Sequence, residues 1–210
     1  MVTKRLLHIG IFGALLVALL ALAACAPFPS PNPNTEEVSM NTSNNSNETA
    51  TVEEGSTAVV FFSCTGTTEA VAKQIATATG GTLMQINPAV PYTSADLDYE
   101  SDCRANTEQN TPETRPELAN PIPDVSSYEI VYLGYPIWWG TAPRCVLSFI
   151  DSANLAGKTV IPFCTSGSSS ISASLSELED AAPAANWLSG ERFSRSTTQE
   201  TIDEWVAQNN

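Results

Sequence analysis

Apolar residues fall along this chain in two rhythms. Ala58-Val59-Val60-Phe61-Phe62 is a continuous run rich in β-branched and aromatic side chains, the pattern of a strand buried on both faces. Next come Ser63-Cys64-Thr65-Gly66-Thr67-Thr68, all small, and then Ala70, Val71, Ala72, Ile75 and Ala76 at helical spacing. This predicts a strand, a turn and a helix that starts near Thr67 or Thr68 and ends at Gly80-Gly81. Thr82 to Ile86 predicts a second strand, stopped by Pro88; Glu129 to Gly134 a third; Lys158 to Cys164 a fourth; and Asn186-Trp187-Leu188 the start of a short fifth. Further helices are predicted over Cys145 to Ile150, Ile171 to Asp180 and Thr198 to Ala207, the last with Ile202, Trp205 and Val206 inward. Strands alternating with helices predict an α/β domain, a parallel sheet with helices on both faces. Between Asn87 and Tyr128 lies a long stretch with a helix-like patch around Ser94–Tyr99 and a polar run through Thr111-Pro112 and Arg115-Pro116. A connection of that length either borders a binding site or is a surface excursion.

The folded pattern occupies only residues 56–210. Residues 1–24 carry Lys4 and Arg5 before an apolar run from Leu6, which closes on Leu22-Ala23-Ala24 ahead of Cys25. A basic start, an apolar run and small residues before a cleavage point make a secretory signal peptide. The Leu-Ala-Ala-Cys ending resembles a bacterial lipobox, which implies lipidation of Cys25 as the new N-terminus. The alternative is an uncleaved anchor, since the run is barely long enough to span a bilayer. Either reading predicts an exported, membrane-anchored chain. Residues 25–55, with Pro27, Pro29, Pro31 and Pro33 followed by Asn, Ser, Thr and Glu, are too polar to bury a core and predict a disordered tether.

Charge narrows the partners. The chain carries 9 Lys and Arg against 23 Asp and Glu, a formal net charge of −14. Loss of the leader with Lys4 and Arg5 would make the remainder more acidic still. Nucleic acid and anionic membrane surfaces are poor partners for such a chain. Its one histidine, His8, lies in the leader, so imidazole catalysis and His-based metal sites are not expected in the domain.

Three loops carry the candidate chemistry. Ser63, Thr65, Gly66, Thr67 and Thr68 stand between a strand and a helix N-terminus, where unpaired backbone N–H groups and the helix dipole favour an anion. Ser and Thr also cap ordinary helices, so that use stays open. The loop has neither the Lys of a Walker A motif nor a GxGxxG pattern, and residues 63–68 contain no Lys or Arg. An anion there would be held by neutral donors. The second loop, Pro136-Ile137-Trp138-Trp139-Gly140 followed by Thr141-Ala142-Pro143, places two adjacent indoles between Pro and Gly. The loop is expected to expose one or both as a platform on which a flat ligand stacks; the alternative is that one packs under the loop while the other covers the sheet edge. The third, Thr165-Ser166-Gly167-Ser168, is again small and polar and could meet the hydrogen-bonding edge of such a ligand.

Taken together, the Ser-x-Thr-Gly-x-Thr loop, Gly-Tyr-Pro-Ile-Trp-Trp-Gly-Thr-Ala-Pro and Gly-Lys-Thr-Val-Ile-Pro-Phe-Cys-Thr-Ser-Gly-Ser closely resemble the flavodoxin-like proteins of bacteria, including the branch of flavodoxins and NAD(P)H-dependent oxidoreductases. The resemblance covers residue 57 to about residue 206. It implies a five-stranded sheet in the order 2-1-3-4-5 and FMN as cofactor. It also implies phosphate held by Ser63 and Thr65–Thr68, a ring flanked by Pro136–Gly140, and a polar edge lined by Thr165–Ser168. One departure is Thr67, where many flavodoxins carry Asn. Two uses of the flavin remain open, electron transfer between proteins and flavin-dependent reduction of a small molecule. A different class, a non-enzymatic surface lipoprotein binding a small ligand in the same pocket, is the alternative. Cys64, Cys103, Cys145 and Cys164 are even in number. Cys64 and Cys164 end strands that this order separates; Cys103 with Cys145 is the pairing that stays open.

Overall fold

The computed structural model describes residues 56–209. The proposed leader, Cys25 and the tether of 25–55 lie outside the described residues. The first strand, β1 (Thr57–Phe61), leads through a five-residue turn into α1 (Thr67–Thr79), whose end is Gly80 at φ 66°. Next come β2 (Thr82–Gln85), a 3₁₀ turn at Ala95–Leu97, a short α2 (Arg104–Gln109) and β3 (Ile130–Pro136). The second half runs α3 (Arg144–Ser152), β4 (Thr159–Thr165), α4 (Ser172–Ala181), β5 (Asn186–Trp187), β6 (Glu191–Phe193) and α5 (Gln199–Ala207).

All pairings between named strands are parallel, in the order β2-β1-β3-β4-β5, with β6 also on β4. This is the doubly wound order expected from the resemblance. Alternate side chains of the central strands feed two cores. Val59, Phe61, Tyr132, Ile161 and Phe163 face α1 and α5, where Ile75, Ile202 and Trp205 meet them. Ala58, Val60, Leu133, Tyr135 and Cys164 face the other way, against Val146, Phe149 and Leu178 of α3 and α4. Both faces of the sheet are therefore covered, which is why its strands read as unbroken apolar runs.

Two elements differ from the sequence expectation. The fifth strand position is filled by two segments. β5 pairs with Thr159 and Val160, and β6 with Phe163 to Thr165. Val160 accepts from Leu188 N–H at 2.9 Å, so two residues on Pro162 faces the same neighbour and has no N–H to give. The partner strand breaks opposite it. Gly190, at φ 63°, passes so close that a Cβ there would lie 2.3 Å from the Pro162 carbonyl oxygen. The second difference lies in 87–128. That stretch is an ordered excursion stitched at its base by Ala89 N–H to Glu117 O (2.8 Å) and Ala119 N–H to Asn87 O (2.7 Å). It contains α2, which has no apolar stripe and buries only Ala105 and Gln109.

Candidate functional site

β1, β3 and β4 are neighbours and run parallel, so the three candidate loops leave the sheet at one edge. A cavity of about 350 Å³ opens between them, lined by Thr65, Thr67, Pro136, Ile137, Trp138, Thr165, Ser166 and Gly167. Tyr99, Ser194 and Arg195 complete its wall. A smaller recess of about 180 Å³ adjoins it, adding Ser63, Cys64, Thr68, Leu97 and Trp139. On the other side an open groove continues past Thr65, Gly66 and Thr67 to Lys73 and Gln74. Gly140 and Ser168, both expected at the site, are exposed and line none of these spaces. The excursion does border the site, through Leu97 and Tyr99.

The first loop is open at the helix end. Gly66 precedes α1 at φ 82°, a left-handed conformation that favours glycine, and no side chain caps the helix. Among the described residues no bond takes the N–H groups of Thr67, Thr68 and Glu69; the first helical bond is Ala70 N–H to Gly66 O at 3.0 Å. Two hydroxyls expected to face an anion have other partners. Ser63 Oγ accepts from Gly66 N–H at 3.1 Å and braces the turn. Thr68 is buried, its Oγ1 2.8 Å from Thr165 Oγ1, so it ties the first loop to the third. Thr65 and Thr67 remain toward the cavity. The expectation of neutral donors alone is also corrected: Arg195, from the turn after β6, brings a guanidinium nitrogen within 3.4 Å of Thr67 Oγ1.

The second loop is locked. Trp138 and Thr141 exchange backbone hydrogen bonds of 2.9 and 3.0 Å around Trp139 (φ 46°) and Gly140 (φ 87°). Positive φ at both central residues is the geometry of a tight two-residue hairpin turn. It sends the two indoles different ways. Trp138 is 7% exposed and packs edge-on against Phe62 (5.4 Å) and Tyr92 (5.1 Å). It therefore belongs to the core and shows only an edge to the cavity, so of the two indoles it is the one packed under the loop. Trp139 is the half-buried one, stacked on Tyr99 at 4.2 Å and 24°. Gln109 of α2 fixes this loop by donating to Trp138 O (3.2 Å) and Ala142 O (3.1 Å) and accepting from Arg144 N–H (3.0 Å). The Arg144 guanidinium is buried; it pairs with Glu177, which also accepts from Thr141 Oγ1 at 2.7 Å. The third loop is held by Ile137 N–H to Thr165 O (3.0 Å) and by Arg192 to Ser166 O (3.2 Å).

The Cys64 and Cys145 thiols and the Tyr135 phenol stay protonated at neutral pH. Partial desolvation pushes the Cys64 thiol up to about 11, with Arg104 pulling back. Burial raises Cys145 and Tyr135 well above their usual ranges. Cys64, Cys103, Cys145 and Cys164 are all free thiols, so Cys103 and Cys145 are unlinked. Among the described residues no cluster of His, Cys, Asp or Glu could hold a metal ion.

A family model described as flavodoxin matches residues 56–209. The chain belongs to the flavodoxin family. Among solved structures, this flavodoxin resembles a candidate flavoprotein from Bacteroides uniformis at 44% identity and TM-score 0.70, covering 73% of this chain and 98% of that one. A candidate flavoprotein from Bacteroides eggerthii is similar at 42% identity and TM-score 0.67, over 72% and 96% of the two chains. A Lactobacillus acidophilus flavoprotein solved with FMN shares the fold at 20% identity and TM-score 0.56, over 71% and 97%. No curated protein matches the chain.

Proposed function

We propose that this chain binds FMN non-covalently and works as a redox flavoprotein. One observation carries the reading: in a chain of the flavodoxin family, an uncapped helix N-terminus, two threonine hydroxyls and an aromatic wall meet at one cavity. The donor set fits the group. Thr65, Thr67 and the open N–H groups at the start of α1 would hold its phosphate. Pro136, Trp138 and Trp139, with Tyr99, would flank its ring. The backbone of Thr165–Gly167 would face its polar edge. When bound, the flavin supplies the electron-accepting and electron-donating chemistry, and the protein supplies position and electrostatics. Cys64, Cys145 and Tyr135 are held protonated, so none of them exchanges a proton near neutral pH.

The reading extends to where the protein works. Lys4, Arg5, the apolar run and Leu22-Ala23-Ala24-Cys25 support export and lipid anchoring at Cys25. A formal net charge of −14 favours a cationic redox partner or substrate, with association slowed by salt. The visible spectrum of the purified chain, before and after FMN and then dithionite, tests the cofactor. Flavin bands that bleach on reduction are expected. A chain that stays colourless after mixing with FMN would favour the ligand-binding lipoprotein. Cys25→Ser tests the anchor: the variant should leave the membrane fraction or remain unprocessed, and unchanged anchoring at unchanged mass would refute it.

A further inference from the structure

Seven cations lie in the described residues. Lys73, Arg104, Arg115 and Arg144 each pair with a carboxylate. Lys158 donates to the carbonyls of Ser126 and Tyr128, just before the start of β3 and so at the sheet edge opposite the cavity. Arg192 and Arg195, like Lys158, have no acidic partner among the described residues, but these two sit at the cavity edge. Arg192 is spent on Ser166 O and leans on the third loop. Arg195 is exposed; its one contact is the 3.4 Å approach to Thr67 Oγ1, and it lines both the cavity and the groove beyond the helix end. Its backbone is set by a closed turn, with Ser194 N–H to Thr197 Oγ1 at 3.0 Å and Thr197 N–H to Ser194 O at 3.2 Å.

An acidic protein that leaves an arginine free of carboxylates, and aims it at the open end of a helix, concentrates positive charge at one spot. From this we infer that Arg195 is a specificity-determining residue that meets the anionic tail of the flavin and selects phosphorylated over unphosphorylated forms. The inference rests on the FMN reading above. Thr65, Thr67 and the helix N-terminus supply direction, since each offers a fixed donor. Arg195 supplies charge, which the loop of residues 63–68 lacks. A fork of guanidinium N–H groups can bond a terminal phosphate in two places at once. The contact to Thr67 Oγ1 is long for a hydrogen bond, so the guanidinium can shift toward a phosphate at little cost.

The test is Arg195→Gln in the full chain, titrated with FMN and with riboflavin by flavin fluorescence at two salt concentrations. Because Arg195 is exposed and unpaired, the variant should melt with the parent. Loss of a charge-assisted contact should weaken FMN roughly 10- to 100-fold and leave riboflavin within about twofold. The salt dependence of FMN binding should flatten, and Arg195→Lys should recover part of the affinity. FMN binding unchanged in Arg195→Gln overturns the inference and leaves the FMN reading standing. An equal loss for both flavins also overturns it, since the residue would then touch the ring. A parent that binds neither flavin overturns both.

Discussion

The loop after β1 and the loop after β3 meet at the same cavity, yet they are built in opposite ways. In the first, the helix start is uncapped, three backbone N–H groups have no partner among the described residues, and the neighbouring ion pair, Lys73–Glu69, is surface-exposed on both sides. In the second, Gln109, Thr141, Arg144 and Glu177 account for nearly every polar group, and Arg144 is buried. The buried Nε of Arg144 is the exception. Burial explains the difference. A backbone group shut away from water must be paired, whereas one left at a cavity mouth can keep its donor for a ligand. The pair of loops divides the labour of a binding site: one holds a shape, the other holds open valences.

Breaking that comparison most severely would be a flavin that ignores the open loop. Two or three hydrogen bonds to a charged phosphate, at about 1.5–3 kcal/mol each, should make FMN bind at least about a hundredfold more tightly than riboflavin. Titration of the chain with both flavins reads the ratio directly. Equal affinities would mean that the open donors serve water and not an anion.

The ion pairs give the next contrast. Glu177→Ala strips the buried Arg144 guanidinium of its carboxylate and leaves Thr141 Oγ1 without its acceptor. Breaking such a pair usually costs 3–5 kcal/mol; with Glu177 33% exposed, about 2–3 kcal/mol is expected. Glu69→Ala removes a surface pair and should cost no more than about 0.5 kcal/mol. Urea unfolding of both variants measures the gap. Similar costs at the two sites would deny that one loop is locked and the other loose. Gln109→Ala follows at about 2 kcal/mol, because it orphans the carbonyl of Ala142 and the N–H of Arg144 and leaves Trp138 O only its bond from Thr141 N–H. Faster hydrogen exchange at the Arg144 amide should accompany it, with the amides of α1 unaffected.

How far the sequence foretold these loops follows from the same physics. Strands buried on both faces cannot hide their composition, so Val59–Phe61 and Leu133 announced themselves, while the sheet order came from the family resemblance. The open loop was legible in part, since small hydroxyl residues before a helix suit an anion but also cap ordinary helices. What locks the second loop was not legible. Arg104–Gln109 has no hydrophobic period, because α2 contributes one amide side chain rather than an apolar face. Which of the two indoles packs inward was not legible either, because nothing in Trp-Trp-Gly says which residue takes positive φ. Arg195 is 128 residues from Thr67, and its approach became predictable only once the split fifth strand was seen to end at Phe193 on the same sheet edge. The sequence showed only the start of that strand at Asn186–Leu188, because it breaks opposite Pro162 of β4 and resumes as β6.

The smallest expected effect sharpens the comparison most finely, because it sets the same chemical change in both loops. Gly66 and Gly140 have φ of 82° and 87°, and a Cβ built on either meets nothing within 4 Å. Alanine at either position therefore adds no clash, and any cost is that of holding an L-residue in left-handed backbone, about 1–2 kcal/mol. The surroundings decide how much of it is felt. Gly140 is held in a two-residue turn closed by hydrogen bonds on both sides, so Gly140→Ala should show the full cost, toward 2 kcal/mol. Gly66 is tied only by its N–H to Ser63 Oγ and its carbonyl to Ala70 N–H. That loop can rotate away from the strained region, so Gly66→Ala should cost about 1 kcal/mol or less. Relaxation would also tilt the open N–H groups of Thr67 and Thr68, so Gly66→Ala should weaken FMN more than it destabilises the fold. Gly140→Ala should do the reverse. Urea midpoints and FMN affinities of the two variants, set side by side, test the crossing. Parallel losses in both measurements would show that the two loops are equally rigid.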